Sequence, residues 1–284
     1  MTSFVAACIQ MRTGRDLLEN LDVCEALVRE AAAEGAVYVQ TPEMTNVLER
    51  SRKAQLAASC FEEADPFLKR LGILANELSI WVHIGSLAIR LEDDKLANRG
   101  FMISPRGEVV ARYDKIHMFD VDLPNGESWR ESESYSAGSV SPVVDLGVAK
   151  VGMAICYDIR QPALFREQSK AGAQVLTGPA AFTKQTGEAH WHVLQRSRAI
   201  ENGAFVVTAA QGGTHEDDRQ TYGHSLMVDP WGRVIAELDH DEPGVLLGEL
   251  DMAKVDEARR RIPAIENARD FSVATVSLSG EMVR

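Results

Sequence analysis

Residues 150–177 read KVGMAICYDIRQPALFREQSKAGAQVLT, and the order of runs and breaks in this stretch decides the fold class. Lys150 to Ile155 is an apolar run of strand length, Cys156 closes it, a helix is expected next, and Gln174 to Thr177 returns as a strand. Toward the N-terminus, Phe4 to Ile9 reads as a strand. Leu17, Leu21, Cys24, Val28 and Ala31 then recur at helical spacing until Gly35. Ala36 to Gln40 is a further strand and runs directly into Thr41-Pro42-Glu43. Pro66 to Leu78 reads as a helix, Ile80 to Ile89 as a strand, and Phe101 to Ser104 and Glu108 to Tyr113 as a hairpin around Pro105-Arg106-Gly107.

The polar segment Asp120 to Ser139 is expected to be an extended loop, followed by a strand at Val143 to Leu146. Beyond residue 177, Ala189 to Asn202 reads as a helix with Ala189, Val193, Ser197 and Ile200 on one small-to-apolar face. Ala204 to Ala210, His224 to Val228, Arg233 to Glu237 and Val245 to Leu250 are strands, with a turn at Asp229-Pro230-Trp231-Gly232. Short turns between the late strands favour a layered α/β sandwich with mixed sheets over a purely parallel sheet. No internal repeat or linker is visible. Residues 1–265 therefore read as one domain, and 266–284 as an arm or tail.

Hydrophobic residues make up 45% of the 284 and charged residues 25%, so a core can form without disulfides or metals. A net charge of -12 argues against nucleic acid as a partner, because phosphate binding needs clustered cations. Arg259, Arg260 and Arg261 are the only tight basic cluster and read as a solvated helix face. No run has the length of a membrane span, and the N-terminus lacks a secretory pattern. Cys8, Cys24, Cys60 and Cys156 show neither CxxC pairing nor metal-ligand spacing, which fits a reducing cytoplasm. Cys8 and Cys24 are expected to be buried as small hydrophobes.

Three residues stand where an apolar strand gives way to a loop, the usual place for site residues in α/β sheets. Cys156 lies at a strand-to-helix corner, where helix-terminal N–H groups and a nearby cation could favour a thiolate; the alternative is a buried core cysteine. Glu43 follows a buried strand, so desolvation could raise its pKa toward that of a general base; the alternative is an acid at a helix start. Lys115 follows Tyr113-Asp114, where its ammonium could hold an oxyanion or serve as a plain surface charge. A base, a cation and a thiol are the parts that amide hydrolysis through a thioester requires.

Thr41-Pro42-Glu43, Tyr113-Asp114-Lys115-Ile116-His117 and Gly152-Met153-Ala154-Ile155-Cys156-Tyr157-Asp158-Ile159-Arg160 resemble, in order and separation, the motifs of the nitrilase superfamily of carbon–nitrogen hydrolases. The resemblance runs from about Val5 to Arg269. It implies a four-layer α-β-β-α sandwich with two mixed central sheets, and a homodimer formed through the helices after the nucleophile. It also implies a Glu43-Lys115-Cys156 triad acting on small linear amides through a Cys156 thioester, releasing ammonia and an acid, without metal or cofactor. A second glutamate is implied, and Arg130-Glu131-Ser132 offers Glu131, with Glu127 and Glu133 close by. The Tyr157 backbone N–H would share the oxyanion with Lys115. Arg160 would either pair with a substrate carboxylate or form a structural ion pair.

Thr186 to Trp191, Arg196 to Glu201 and Tyr222 to Ser225 resemble the branches acting on ω-amides of α-keto acids. Ala209-Ala210-Gln211-Gly212 with His215 is closer to the deaminated-glutathione amidases than to the α-ketoglutaramate type; N-carbamoyl amides are a further alternative. Ala163 stands where these branches commonly carry glutamate, which bears on the substrate. The segment Gly212 to Thr221 is a loop that either covers the pocket or is solvated. A papain-like reading would need an essential histidine, with His190 or His192 on offer; two apart on a helix, they make a poor metal pair. A silent scaffold is the non-enzymatic alternative.

Overall fold

In the computed structural model, which describes residues 3–124, 126–278 and 282–283, alternate residues of the first strand, β1 (Ser3–Gln10), enter two different cores. Phe4, Ala6 and Cys8 point into one, and Ala7 and Ile9 into the other. That is the result of a two-residue side-chain period in a strand covered on both faces. After it comes α1 (Leu17–Ala33), capped by Asp16, whose carboxylate accepts the N–H groups of Leu18 and Glu19. Its buried stripe, Leu21, Cys24, Val28 and Ala31, is the one that the helical spacing marks.

The chain continues through β2 (Tyr38–Gln40), α2 (Arg52–Ala58), α3 (Pro66–Leu78), β3 (Trp81–Arg90), β4 (Leu96–Ile103) and β5 (Val109–Asp114). A small hairpin, β6 (Asp120–Asp122) and β7 (Ser128–Arg130), and the single turn α4 (Glu131–Ser134) occupy the stretch expected to be an extended loop. Next are β8 (Val143–Asp145), β9 (Lys150–Gly152), a 3-10 turn at Cys156–Arg160, α5 (Pro162–Lys170), β10 (Val175–Thr177), α6 (Lys184–Asn202) and β11 (Phe205–Thr208). A second hairpin, β12 (Gly212–Thr214) and β13 (Gln220–Tyr222), precedes β14 (Leu226–Val228), β15 (Val234–Glu237), β16 (Gly244–Asp251) and α7 (Ala253–Arg261).

Two six-stranded sheets result, ordered β16-β1-β2-β3-β4-β5 and β8-β9-β10-β11-β14-β15. Read in those orders, both pair antiparallel, parallel, parallel, antiparallel, antiparallel. The topology thus repeats although the sequence does not. Leu21, Phe67 and Leu71 of α1 and α3 pack on Val39, Val82 and Phe101 of the first sheet. Phe165, Trp191 and Ala199 of α5 and α6 share a core with Val151, Leu176 and Val206 of the second. The same core takes in Cys8, Tyr38 and Met102, so the two sheets face each other. The layers are α-β-β-α, as expected.

Three details of the sequence reading are corrected. Val193 and Ile200 are 65% and 53% exposed, so the apolar face assigned to α6 points outward. Its inward stripe runs through Trp191, Gln195, Arg198 and Asn202, three of which find partners: Arg198 Nε donates to the Ile159 carbonyl at 2.8 Å, Trp191 Nε1 to that of His224 at 2.8 Å and Asn202 Nδ2 to that of Arg198 at 2.9 Å. Arg259 is not simply solvated, since its guanidinium reaches the carbonyls of Asn202 and Ala173. And the helix after Cys156 starts as a 3-10 turn, with α5 beginning only at Pro162. From residue 263 onward the described chain is mostly exposed. Among the described residues no helix is long and apolar enough to cross a membrane.

Gly85 brings β3 against the segment that carries Glu43. Its N–H donates to Thr41 Oγ1 at 3.0 Å, and a Cβ there would overlap the backbone oxygens of Thr41 and Pro42. Gly85→Ala should therefore destabilise the protein by about 1–3 kcal/mol in urea denaturation. An unchanged midpoint would contradict this close approach.

Candidate active site

Glu43 lies three residues beyond β2, on a segment held from several sides. Thr45 Oγ1 donates to the Pro42 carbonyl at 2.7 Å, the Met44 N–H to Ser86 Oγ at 2.9 Å, and Gln211 Nε2 to the Glu43 carbonyl at 3.0 Å. Met44 adopts φ 56°, a left-handed turn that a non-glycine residue takes only when its surroundings hold it there. The Glu43 carboxylate is 6% exposed. One oxygen accepts Lys115 Nζ at 2.9 Å and Asn98 Nδ2 at 2.9 Å; the other accepts the Ala181 N–H at 2.8 Å.

Lys115, first residue after β5, is 2% exposed. Its ammonium also donates to both oxygens of Glu131, at 3.0 and 2.8 Å. Glu131 opens α4, and the hairpin β6–β7 that the sequence reading took for loop is what delivers it. The Phe119 N–H donates to the same carboxylate at 2.7 Å. Of the three acids considered, Glu131 is the one that joins Lys115. Asn98, missed in the sequence, donates from Nδ2 to Glu43 and to Glu131, at 2.9 and 3.0 Å. Its only sequence signal is an amide inside the apolar run of β4.

Cys156 begins the 3-10 turn at φ 49°, its N–H bonded to the Pro179 carbonyl at 3.0 Å. This sharp turn places the thiol in the cleft with Glu43 and Lys115, near enough for both charges to act on it. Asp158, fully buried, ties the cysteine turn to the lysine segment. It accepts the Ile155 N–H at 2.9 Å, the Tyr113 hydroxyl at 2.6 Å and the His117 N–H at 3.1 Å. The three separate motifs thus meet in one cluster.

The cluster holds two carboxylates and one ammonium, and that imbalance sets its protonation. Burial lifts the Glu43 pKa, as its strand-end position suggests, but the Lys115 charge and the bonds from Cys156, Lys115 and Asn98 outweigh it. The net shift is downward, which corrects the expectation of a raised value: Glu43 is an ionised carboxylate. For Lys115, burial favours the neutral amine, yet Glu131 and Glu43 hold its pKa well above the ordinary value. The Cys156 thiol is pushed well up by burial and by the Glu43 carboxylate, against Lys115 and the Ala181 N–H. Lys115 favours the thiolate, as expected of it, but burial and Glu43 outweigh it and the thiol rests protonated.

A cleft of about 490 Å³ opens onto these groups, lined also by Tyr157, Phe119, Trp129, Arg160, Phe182 and Arg219. Among the described residues Arg160 has no ion-pair partner: its guanidinium meets His190 Nδ1 at 3.3 Å and lies over the rings of Phe182 and Tyr157. His215 is buried away from the cleft, bonded to the Thr13 carbonyl and Thr221 Oγ1. Gln211, the other branch marker, anchors Glu43. The β12–β13 hairpin contributes Arg219 to the cleft wall, so this segment does border the pocket. His190 and His192 engage Arg160 and Glu237 instead of Cys156. Among the described residues, no group of three or more His, Cys, Asp or Glu is arranged to hold a metal ion.

Residues 5–260 match the family described as carbon-nitrogen hydrolase. The deaminated glutathione amidase of mouse is 38% identical over 270 residues, covering 93% of this chain and 83% of that protein. The deaminated glutathione amidase of Synechocystis is 35% identical over 275 residues, covering 94% and 98%. Among solved structures, the C. elegans NitFhit protein superposes with a TM-score of 0.88 at 31% identity, covering 100% of this chain and 72% of that one.

Removing the ammonium leaves two buried carboxylates facing each other. Lys115→Met should lower the unfolding free energy by about 3–5 kcal/mol at pH 7. In the variant the folded-state carboxylate pKa values rise above their unfolded values, so the deficit relative to wild type should shrink as pH falls toward 5. Urea denaturation at several pH values checks this; a deficit independent of pH would contradict it.

Proposed function

Because the chain belongs to the carbon–nitrogen hydrolase family, we propose that it hydrolyses an ω-amide of an α-keto acid, deaminated glutathione first among them, through a thioester on Cys156. One observation carries the chemistry: the Glu43 carboxylate, which accepts the buried Lys115 ammonium, lines the same cleft as the Cys156 thiol, whose pKa burial and that carboxylate hold up. As Sγ attacks the amide carbon, its proton passes to Glu43. The oxyanion is held by the Lys115 ammonium and the Tyr157 N–H, which lies in the first turn of the 3-10 helix where no helical acceptor exists. Each good donor contributes about 3 kcal/mol. Glu43 then protonates the departing nitrogen, and the C–N bond breaks to leave the thioester. Water, deprotonated by Glu43 and positioned beside Glu131, releases the acid and restores the thiol.

Two features support the substrate reading. The relatives named above are deaminated glutathione amidases, and Arg160 faces the cleft with no carboxylate of its own, suited to a substrate carboxylate. α-Ketoglutaramate is the second reading, since Arg160 alone could hold it. Ala163, on the exposed side of α5, does not line the cleft.

The same reading includes a catalytic unit at 1–265 with 266–284 as an arm, a homodimer, and a place in the reducing cytoplasm. The exposed Val193 and Ile200 on α6 support the dimer, and Phe271, at 85% exposure, supports an arm. All four cysteines are free thiols.

Cys156→Ala should abolish release of the amine from deaminated glutathione, and no acyl adduct should appear by mass spectrometry. Because the base titrates below the ordinary glutamate value and the reactant is the thiol, wild-type kcat/KM should stay flat from pH ~5 to ~8. A rise between pH 7 and 9 would point to a thiolate and against this mechanism. Sedimentation should give a dimer, converted to monomer by Val193→Glu with Ile200→Glu; a wild-type monomer would refute that interface.

A further inference from the structure

Beyond the triad, the cleft holds an aromatic strip with a guanidinium at each end. Tyr157 meets Phe119 edge-on with centroids 5.4 Å apart, and Phe119 meets Trp129 at 6.2 Å. Arg160 lies over Tyr157 at 5.9 Å, at one end. At the other, Arg219 lies over Trp129 at 4.6 Å and Arg50 over the same ring at 5.0 Å. All six residues line the cleft.

Arg219 is poorly compensated for a cation so enclosed. Its side chain is 16% exposed, its carboxylate partner Asp217 stands off at 3.7 Å, and its Nε is buried without a hydrogen-bond partner. Burial accordingly pulls its pKa below the ordinary guanidinium value. A guanidinium so poorly compensated, with part of its side chain on the wall of an open cleft, is a receptor for a planar anion. Arg50 is half-exposed and pairs with Glu127 at 3.9 Å, so it adds charge and little geometry.

We infer that Arg219 forms a second carboxylate subsite, which holds the amine-side end of the substrate while Arg160 holds the acyl-side end. Arg160 shares the turn of the nucleophile, so it stays beside the acyl group when the thioester forms. Arg219, on the β12–β13 hairpin, is left for the portion that departs. This rests on the ω-amidase reading and sharpens it: the preferred substrates are amides with a carboxylate on both flanks of the scissile bond. Deaminated glutathione has that form; α-ketoglutaramate, whose leaving group is ammonia, does not.

The test compares three substrates on the full-length enzyme: deaminated glutathione, its C-terminal carboxamide, and α-ketoglutaramate. Wild type should prefer the free carboxylate over the carboxamide by ~10- to 100-fold in kcat/KM, mostly through KM. In Arg219→Gln that ratio should fall to about 1–3, and in Arg219→Lys to an intermediate value. Because the ratio is internal to each enzyme, a partly unfolded variant preparation still reports it. A wild-type preference of less than about 2-fold overturns the subsite without any variant, as does the full wild-type ratio in Arg219→Gln. Turnover of α-ketoglutaramate with no discrimination at the far carboxylate sinks the subsite and leaves the ω-amidase reading standing. Turnover of none of the three sinks both.

Discussion

One positive charge, buried between two carboxylates, governs this site. The Lys115 ammonium lies within 3.0 Å of Glu43 and of Glu131 and has almost no access to water. Such a group is stable only as a complete set, because any member left alone would be an unpaired charge in a low-dielectric interior. With one cation serving two carboxylates, burial and the Glu43 charge outweigh Lys115 at Cys156, and a third anion there is disfavoured. An ionised carboxylate beside a neutral thiol follows from that balance.

The fold exists, in this sense, to hold three segments from distant parts of the chain at hydrogen-bond range. Asp158 joins the cysteine turn to the lysine segment through Tyr113 and His117, and Asn98 spans the two carboxylates from the neighbouring strand. Gln211 reaches across from the segment between β11 and β12 to fix the Glu43 backbone. None of these three need touch substrate. Each removes a degree of freedom that would otherwise let the cluster drift by more than catalysis tolerates.

Much of this was legible in the sequence because it is written in local patterns. Strand-length apolar runs ending in Glu43, Lys115 and Cys156, and a helical stripe such as that of α1, depend on residues near one another in the chain. What escaped depends on partners far away. The inward face of α6 is built of Arg198, Gln195 and Asn202, which no hydrophobic period would nominate, and the apolar residues that the period did nominate face outward. Glu131 was chosen among three neighbouring acids by resemblance; the hairpin that aims it has no strong pattern of its own. The direction of the Glu43 pKa was misjudged because burial can be guessed from a strand end, whereas the opposing Lys115 comes from 72 positions further along. Arg219 gave no signal at all, since its meaning lies in what it fails to pair with.

The most direct test of this account is the ionisation of Cys156 itself. Thiolate absorbance near 240 nm, measured as the difference between wild type and Cys156→Ser from pH ~5 to ~9, isolates that sulfur from the other three. The account predicts no thiolate signal over this range. A thiolate titrating at or below the ordinary thiol pKa of ~8.5 would show that Lys115 stabilises the sulfur more than the carboxylates, and would contradict it.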